Sequence, residues 1–225
     1  MKLEITIICF LLMLIIPVYS SIRLRVTYNS CKKKKSIKGL TGYDVAKKIL
    51  DANGLTSLYI VETNGTMTDA YDSSRKVLRL SKEVYKGDSL ASIAIAAHEC
   101  GHAVQDAQGY AWFKRRHAFA PVASLGSKFS YIIFIVGLIL GLIDLIYVGI
   151  ILMGFGLLFE IITLPCELDA SKRGIAFLKE YALVEDSEVP QTKKMLKAAA
   201  FTYIAAIVTT LLEMLYYLMR YSRRD

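Results

Sequence analysis

The 225-residue chain is 54% hydrophobic with a formal net charge of +8, and its mean hydropathy is positive, which excludes an ordinary soluble domain. Its basic residues adjoin apolar segments and form no stripe of their own, so an anionic membrane surface, and no nucleic acid, is the expected partner. Four cysteines, Cys9, Cys31, Cys100 and Cys166, show no paired spacing, and no disulfide framework is expected.

Residues 1–20 carry the apolar run LEITIICFLLMLIIPV and read as an N-terminal membrane anchor, or else a signal peptide. The basic RLRVTYNSCKKKKSIK that follows resists export beside an uncleaved helix, which favours a retained anchor with its flank in the cytoplasm. Residues 21–128 form a soluble α+β unit. Within it, TGYDVAKKILDANGL is a helix with Thr41 as its cap and Gly54 at its close. SLYIVE and KVLRLS alternate apolar and polar residues and read as the two arms of a β-hairpin, with DAYDSSR as turn material. A further helix, capped by Asp88 or Ser89 and ended by Gly109, carries His98 and His102.

From residue 129 to 165 the only charges are Asp144 and Glu160. One straight helix from Lys128 to Pro165 would be about 57 Å long against a hydrocarbon core of about 30 Å. The segment is therefore a hairpin of two membrane helices turning near Gly141–Asp144, with both ends on one side. Residues 166–197 form a polar, basic loop or helix, and 198–219 a last membrane helix. The fold class expected is a mainly α membrane protein: a small α+β unit with a β-hairpin, combined with about four membrane helices.

The chain holds three histidines, and two of them bracket Glu99 in HECGH, residues 98–102. On a helix, positions four apart lie about 40° apart on one face, so His98 and His102 can offer ring nitrogens to one zinc ion. Glu99 is turned by about 100°, beside the metal and outside its ligand set, where a carboxylate can take and return a proton. Gly101 permits close approach of another segment, and Cys100 points away as a packed side chain. A catalytic zinc takes three protein ligands. The third histidine, His117, lies in the basic FKRRHAFAP and reads as a solvated interfacial residue. The acids that the hairpin returns to the histidines' side are Glu160, Glu167 and Asp169. Glu160 lies seven residues before Glu167, about 10 Å along the same helix face, so both cannot reach one ion.

HECGHAVQ followed by TLPCELDASKR, with GLTGYDVAKKIL and LRLSKEVY upstream, resembles the YugP-like neutral zinc metallopeptidases of bacterial membranes over about residues 37–219. The resemblance implies a gluzincin-like unit that binds one Zn²⁺ per chain. Carried over by position, His98, His102 and Glu167 are the ligands and Glu99 is the catalytic base, with Asp169 in a supporting role or as an alternative ligand. More distant HtpX-type and CAAX-processing relatives have an acid four residues after the third ligand. Ser171 occupies that position here. Such enzymes bind substrate along a sheet edge, for which Val77, Leu78, Arg79 and Leu80 are the candidates.

With the N-terminus outside, all Lys and Arg except Lys2, Arg220, Arg223 and Arg224 fall in cytoplasmic segments, which puts the zinc site in the cytoplasm. The expected function is a membrane-embedded zinc endopeptidase acting on peptides or on unfolded and membrane proteins. The alternative is a non-proteolytic membrane protein with a structural zinc, or a basic membrane-surface module led by Lys32–Lys35.

Overall fold

A computed structural model describes residues 2–221, seven helices and three strands. Arg223 and Arg224, used above in the charge count, lie outside the described residues. Four helices are long and apolar enough to cross a membrane: α1 (Lys2–Lys32), α5 (Ala111–Leu140), α6 (Ile143–Glu180) and α7 (Val189–Tyr221). The chain divides into two compact units, and each of these four helices has a part in both.

The first unit comprises the described residues before Ile22, those from Arg115 to Pro165, and those after Ala200. Its central feature is the α5/α6 hairpin. Gly141 ends α5 at φ +67, and the Leu142 N–H returns to the Gly137 carbonyl at 2.9 Å. This is the left-handed glycine closure common at helix C-termini. Phe134, Ile146, Ile150 and Met153 pack together between the two arms. Gly149 lies against Phe134, and Gly137 against Ile146, so closely that added Cβ atoms would fall 2.7 and 2.8 Å from them. Small residues at such contacts let membrane helices pack without a hydrophobic drive between them. Side chains such as Ile139 and Ile151 stay exposed, as expected of a lipid-facing surface. The acids Glu160 and Glu213 have hydroxyl partners: Thr210 donates to the first, Tyr131 and Tyr217 to the second.

The second unit spans residues 22–114 and 166–200. Helix α2 (Gly42–Ala52) starts in a capping box: the Asp44 N–H donates to Thr41 Oγ1 and the Thr41 N–H to Asp44 Oδ2. Helix α4 (Leu90–Ala107) is capped by Ser89, and Gly109 follows its end at φ +66. Val45, Ile49 and Leu50 of α2, Ile93, Ala97 and Cys100 of α4, and Phe177 and Leu178 of α6 share one core. Cys100 is fully buried in it, and all four cysteines are free.

The sheet differs from the expected hairpin. Strand β1 (Tyr59–Thr63) runs parallel to β3 (Val77–Ser81), while β2 (Ala70–Asp72) is antiparallel to β3, in the order β1-β3-β2. The stretch assigned to a turn thus contributes its own strand, and the hairpin joins β2 to β3. This corrects the assignment of Val77, Leu78, Arg79 and Leu80 to a sheet edge. They form the central strand, with ladders on both sides and with Leu78 and Leu80 wholly buried. The edges belong to β1 and β2.

Helix α6 runs on past Pro165 to Glu180, so the first part of the stretch expected as a loop or helix is helical. Proline deletes one backbone donor but leaves the rest of the ladder intact. At 38 residues the helix is about 57 Å long at 1.5 Å per residue, almost twice the thickness of a hydrocarbon core. Helix α7 likewise starts at Val189, earlier than its apolar segment.

Candidate metal centre

Two elements of the second unit build the centre. On α4, residues 97, 98, 101, 102 and 105 recur at the helical period and form one face. On α6, Glu167, Ala170, Ser171 and Gly174 do the same. The faces meet backbone to backbone, because a Cβ on Gly101 would lie 2.6 Å from the Ala170 carbonyl oxygen. One on Gly174 would lie 3.0 Å from the Ala97 carbonyl.

This approach brings Glu167 between the two histidines. Its Oε2 lies 3.2 Å from His98 Nε2 and its Oε1 lies 3.5 Å from His102 Nε2. The three side chains are the described group able to hold a metal ion, with ligand atoms all within 4.8 Å of one another. Glu167 is 3% exposed and His102 6%, a burial that a carboxylate tolerates only beside compensating positive charge.

Zinc fits this donor set. With bonds of about 2.0–2.1 Å, a tetrahedral ion spaces its ligands about 3.3 Å apart, between the two separations found. Electrostatics agree. Burial alone pushes the His102 imidazole down, but hydrogen bonding to Cys166 and Glu167 and the charges of Glu99 and Glu167 outweigh it and hold it at about 10. The carboxylates that raise it would equally draw a metal cation in place of that proton.

The far nitrogens of both rings are anchored. Gln105, fully buried, donates through Nε2 to the Cys166 carbonyl and to Asp169 Oδ2, both at 2.8 Å. Its Oε1 must therefore face His102 Nδ1, 3.0 Å away. An oxygen there requires a protonated Nδ1, which leaves Nε2 its lone pair for a metal. The Cys166 thiol donates to the same Oε1 at 3.3 Å. His98 Nδ1 meets Ser171 Oγ at 3.1 Å. Asp169 reaches the histidines only through Gln105, and it is held by Arg173 one turn along α6.

Glu99 stands apart from the triplet. Its Oε2 accepts the Tyr71 N–H at 3.0 Å, so β2 rests on the carboxylate. Tyr71 is fastened again at its other end, where its hydroxyl donates to Asp106 at 2.8 Å. Burial, and then the bond to Asp106, raise that phenol well above its ordinary value and keep it a donor. Of the other acids and histidine considered above, Glu160 and His117 lie in the first unit.

The spacing of HECGH pointed to the two histidines and the glutamate, while Gln105, Tyr71, Arg173 and Cys166 carried no such sign. Only Gln105, three residues after His102, stood where a helical neighbour can turn back to a ring.

A family model described as "Putative neutral zinc metallopeptidase" matches residues 6–222. The chain is 36% identical over 201 residues, 89% of each sequence, to the "Putative membrane protease YugP" of Bacillus subtilis (strain 168). No solved structure gives a significant match. The likeness runs through the apolar helices as well as the histidine motif, and this membrane protein belongs to the neutral zinc metallopeptidase family.

Proposed function

We propose that the protein is a membrane-embedded zinc endopeptidase, with one Zn²⁺ per chain held by His98, His102 and Glu167 and with Glu99 as general base. The observation that carries this reading is the separation of roles between the two glutamates. Glu167 lies between the two imidazoles, whereas Glu99 is outside that group of three and accepts the Tyr71 N–H. A site meant only to bind metal has no use for the second carboxylate, and a structural zinc usually has four protein ligands.

Bound zinc supplies Lewis acidity, making water nucleophilic near neutral pH and polarising a peptide carbonyl. The chain's residues do the rest. Glu99 takes the proton of the attacking water and returns it to the departing amine. Gln105 and Ser171 fix the ring orientations, so that both Nε2 atoms point inward without rearrangement. The outer edge of β2, beside Glu99, is the strand to which an extended peptide would add, its main chain supplying affinity without demanding a sequence. Peptides and unfolded or membrane proteins are therefore the substrates in this reading. In this reading the site faces the cytoplasm, which the distribution of Lys and Arg in the sequence favours.

Zinc content and proteolysis of Glu167→Ala test the ligand set. Full zinc occupancy together with wild-type cleavage would remove Glu167 from the site.

A further inference from the structure

A cavity lies between α6 and α7 within the second unit, apart from the ligand triplet. It measures about 290 Å³ and is lined by Leu168, Ile175, Leu196 and Ala200 together with Lys172, Lys193 and Lys197. Its character is double. The apolar residues give it a hydrocarbon lining, and Leu196 and Ala200 are themselves buried. The three lysines are exposed, and none forms an ion pair among the described residues. Three like charges around an apolar hollow cost repulsion unless an anion joins them.

Leu168 and Ala200 are the lining residues nearest the apolar stretches of α6 and α7, which run up to Pro165 and from Ala198 onward. The lysines stand further along both helices, away from those segments. The end nearest the apolar stretches is thus purely apolar, and the cations begin about one turn beyond it, interleaved with Ile175 and Leu196, as suits an amphiphile whose chain enters from the hydrocarbon side and whose phosphate lies among the lysines. Basic pockets between membrane helices recognise lipid headgroups in this way.

The geometry points to a binding site for an anionic phospholipid, with Lys172, Lys193 and Lys197 taking the phosphate and the Leu168–Ala200 end taking acyl chain. Ser171 also lines the cavity, and its Oγ is the partner of His98 Nδ1. A lipid seated there is one hydroxyl away from the metal centre. The site does not depend on the proteolytic reading, because binding is measured without turnover.

The test uses the full-length protein, purified in detergent and offered phosphatidylglycerol or phosphatidylcholine, with bound lipid counted by native mass spectrometry. The expected result is retention of phosphatidylglycerol and not of phosphatidylcholine, weakened on the order of tenfold or more in Lys172→Gln/Lys193→Gln/Lys197→Gln. A control, Lys33→Gln/Lys34→Gln/Lys194→Gln, removes the same charge outside the cavity and retains the lipid. Leu168→Asn, which keeps the three cations, also weakens retention. Equal loss in both triple variants would mean a diffuse surface field and overturn the site. Equal binding of the two lipids, displacement by millimolar inorganic phosphate, or competition by an acidic peptide at the same concentration as the lipid would each overturn the assignment to a lipid.

Discussion

Gly101 and Ala170 touch backbone to backbone, with room for no atom between them: a Cβ at 101 would fall 2.6 Å from the Ala170 carbonyl oxygen and 3.0 Å from its Cα. That contact sets the depth at which Glu167, one turn before Ala170, enters between the histidines. Gly101→Ala should therefore push α6 away and carry Glu167 with it. We expect a destabilisation of about 1–3 kcal/mol and a fall in zinc affinity, read as a lower thermal midpoint and as zinc lost during dialysis. Unchanged zinc retention would show that the approach of the helices does not position the carboxylate.

Gln105 decides which nitrogen of His102 faces the metal, because both acceptors of its Nε2 are fixed. Gln105→Leu leaves the buried His102 Nδ1 without its partner and takes one donor each from the Cys166 carbonyl and from Asp169, which keeps Arg173. Zinc affinity should drop about 10–100-fold, and stability by about 1–3 kcal/mol for the unmet buried imidazole nitrogen. Competitive titration against a zinc-binding dye separates the two effects. Gln105→Glu keeps an acceptor but sets a carboxylate against Asp169, and should be no better than leucine.

Ser171 supports His98 with a hydroxyl where more distant relatives use an acid. Ser171→Ala should weaken zinc binding by about tenfold, and Ser171→Asp should restore it, since a carboxylate accepts from Nδ1–H at least as well. Equal affinities for the wild type and both variants would show that the 3.1 Å contact has no orienting role.

Much of this fold could be read from local pattern, and the failures have a common cause. The caps Thr41 and Ser89, the helix carrying HECGH and the turn at Gly141 all depend on residues a few positions apart. Whether β3 is central or at an edge depends instead on which strand lies beyond it, which alternation of Leu78 and Leu80 cannot reveal. Ala70–Asp72 was hidden because three half-polar residues beside Ser73 and Ser74 look like a turn. Whether residues after Pro165 are loop or helix was open, since the packing of α6 on α4 that keeps them helical is not visible locally. Glu167 was singled out through family resemblance, and the support from Gln105 and Asp169 exists only once α6 lies on α4.

Asp69 gives a dependence on pH. Burial, as the largest cause, raises its carboxyl above the ordinary value, although Ser81 donates both its N–H and its hydroxyl to it. A raised folded-state value means that the native protein holds the proton more tightly than the unfolded chain. The resulting stability is fully present below the usual carboxylate pKa near 4 and is lost as pH rises through the folded value. In chelator-treated protein, the thermal midpoint of the wild type relative to Asp69→Asn should decline across that window and level off above it. A difference independent of pH would contradict this.

The central claim is that Glu99 works on substrate while the triplet works on metal, and one comparison tests it most directly: zinc content and cleavage of an unfolded membrane protein by wild type and Glu99→Gln. The account predicts about one zinc in each and cleavage reduced about 10²–10⁴-fold in the variant. Wild-type cleavage by Glu99→Gln with zinc in place would contradict it.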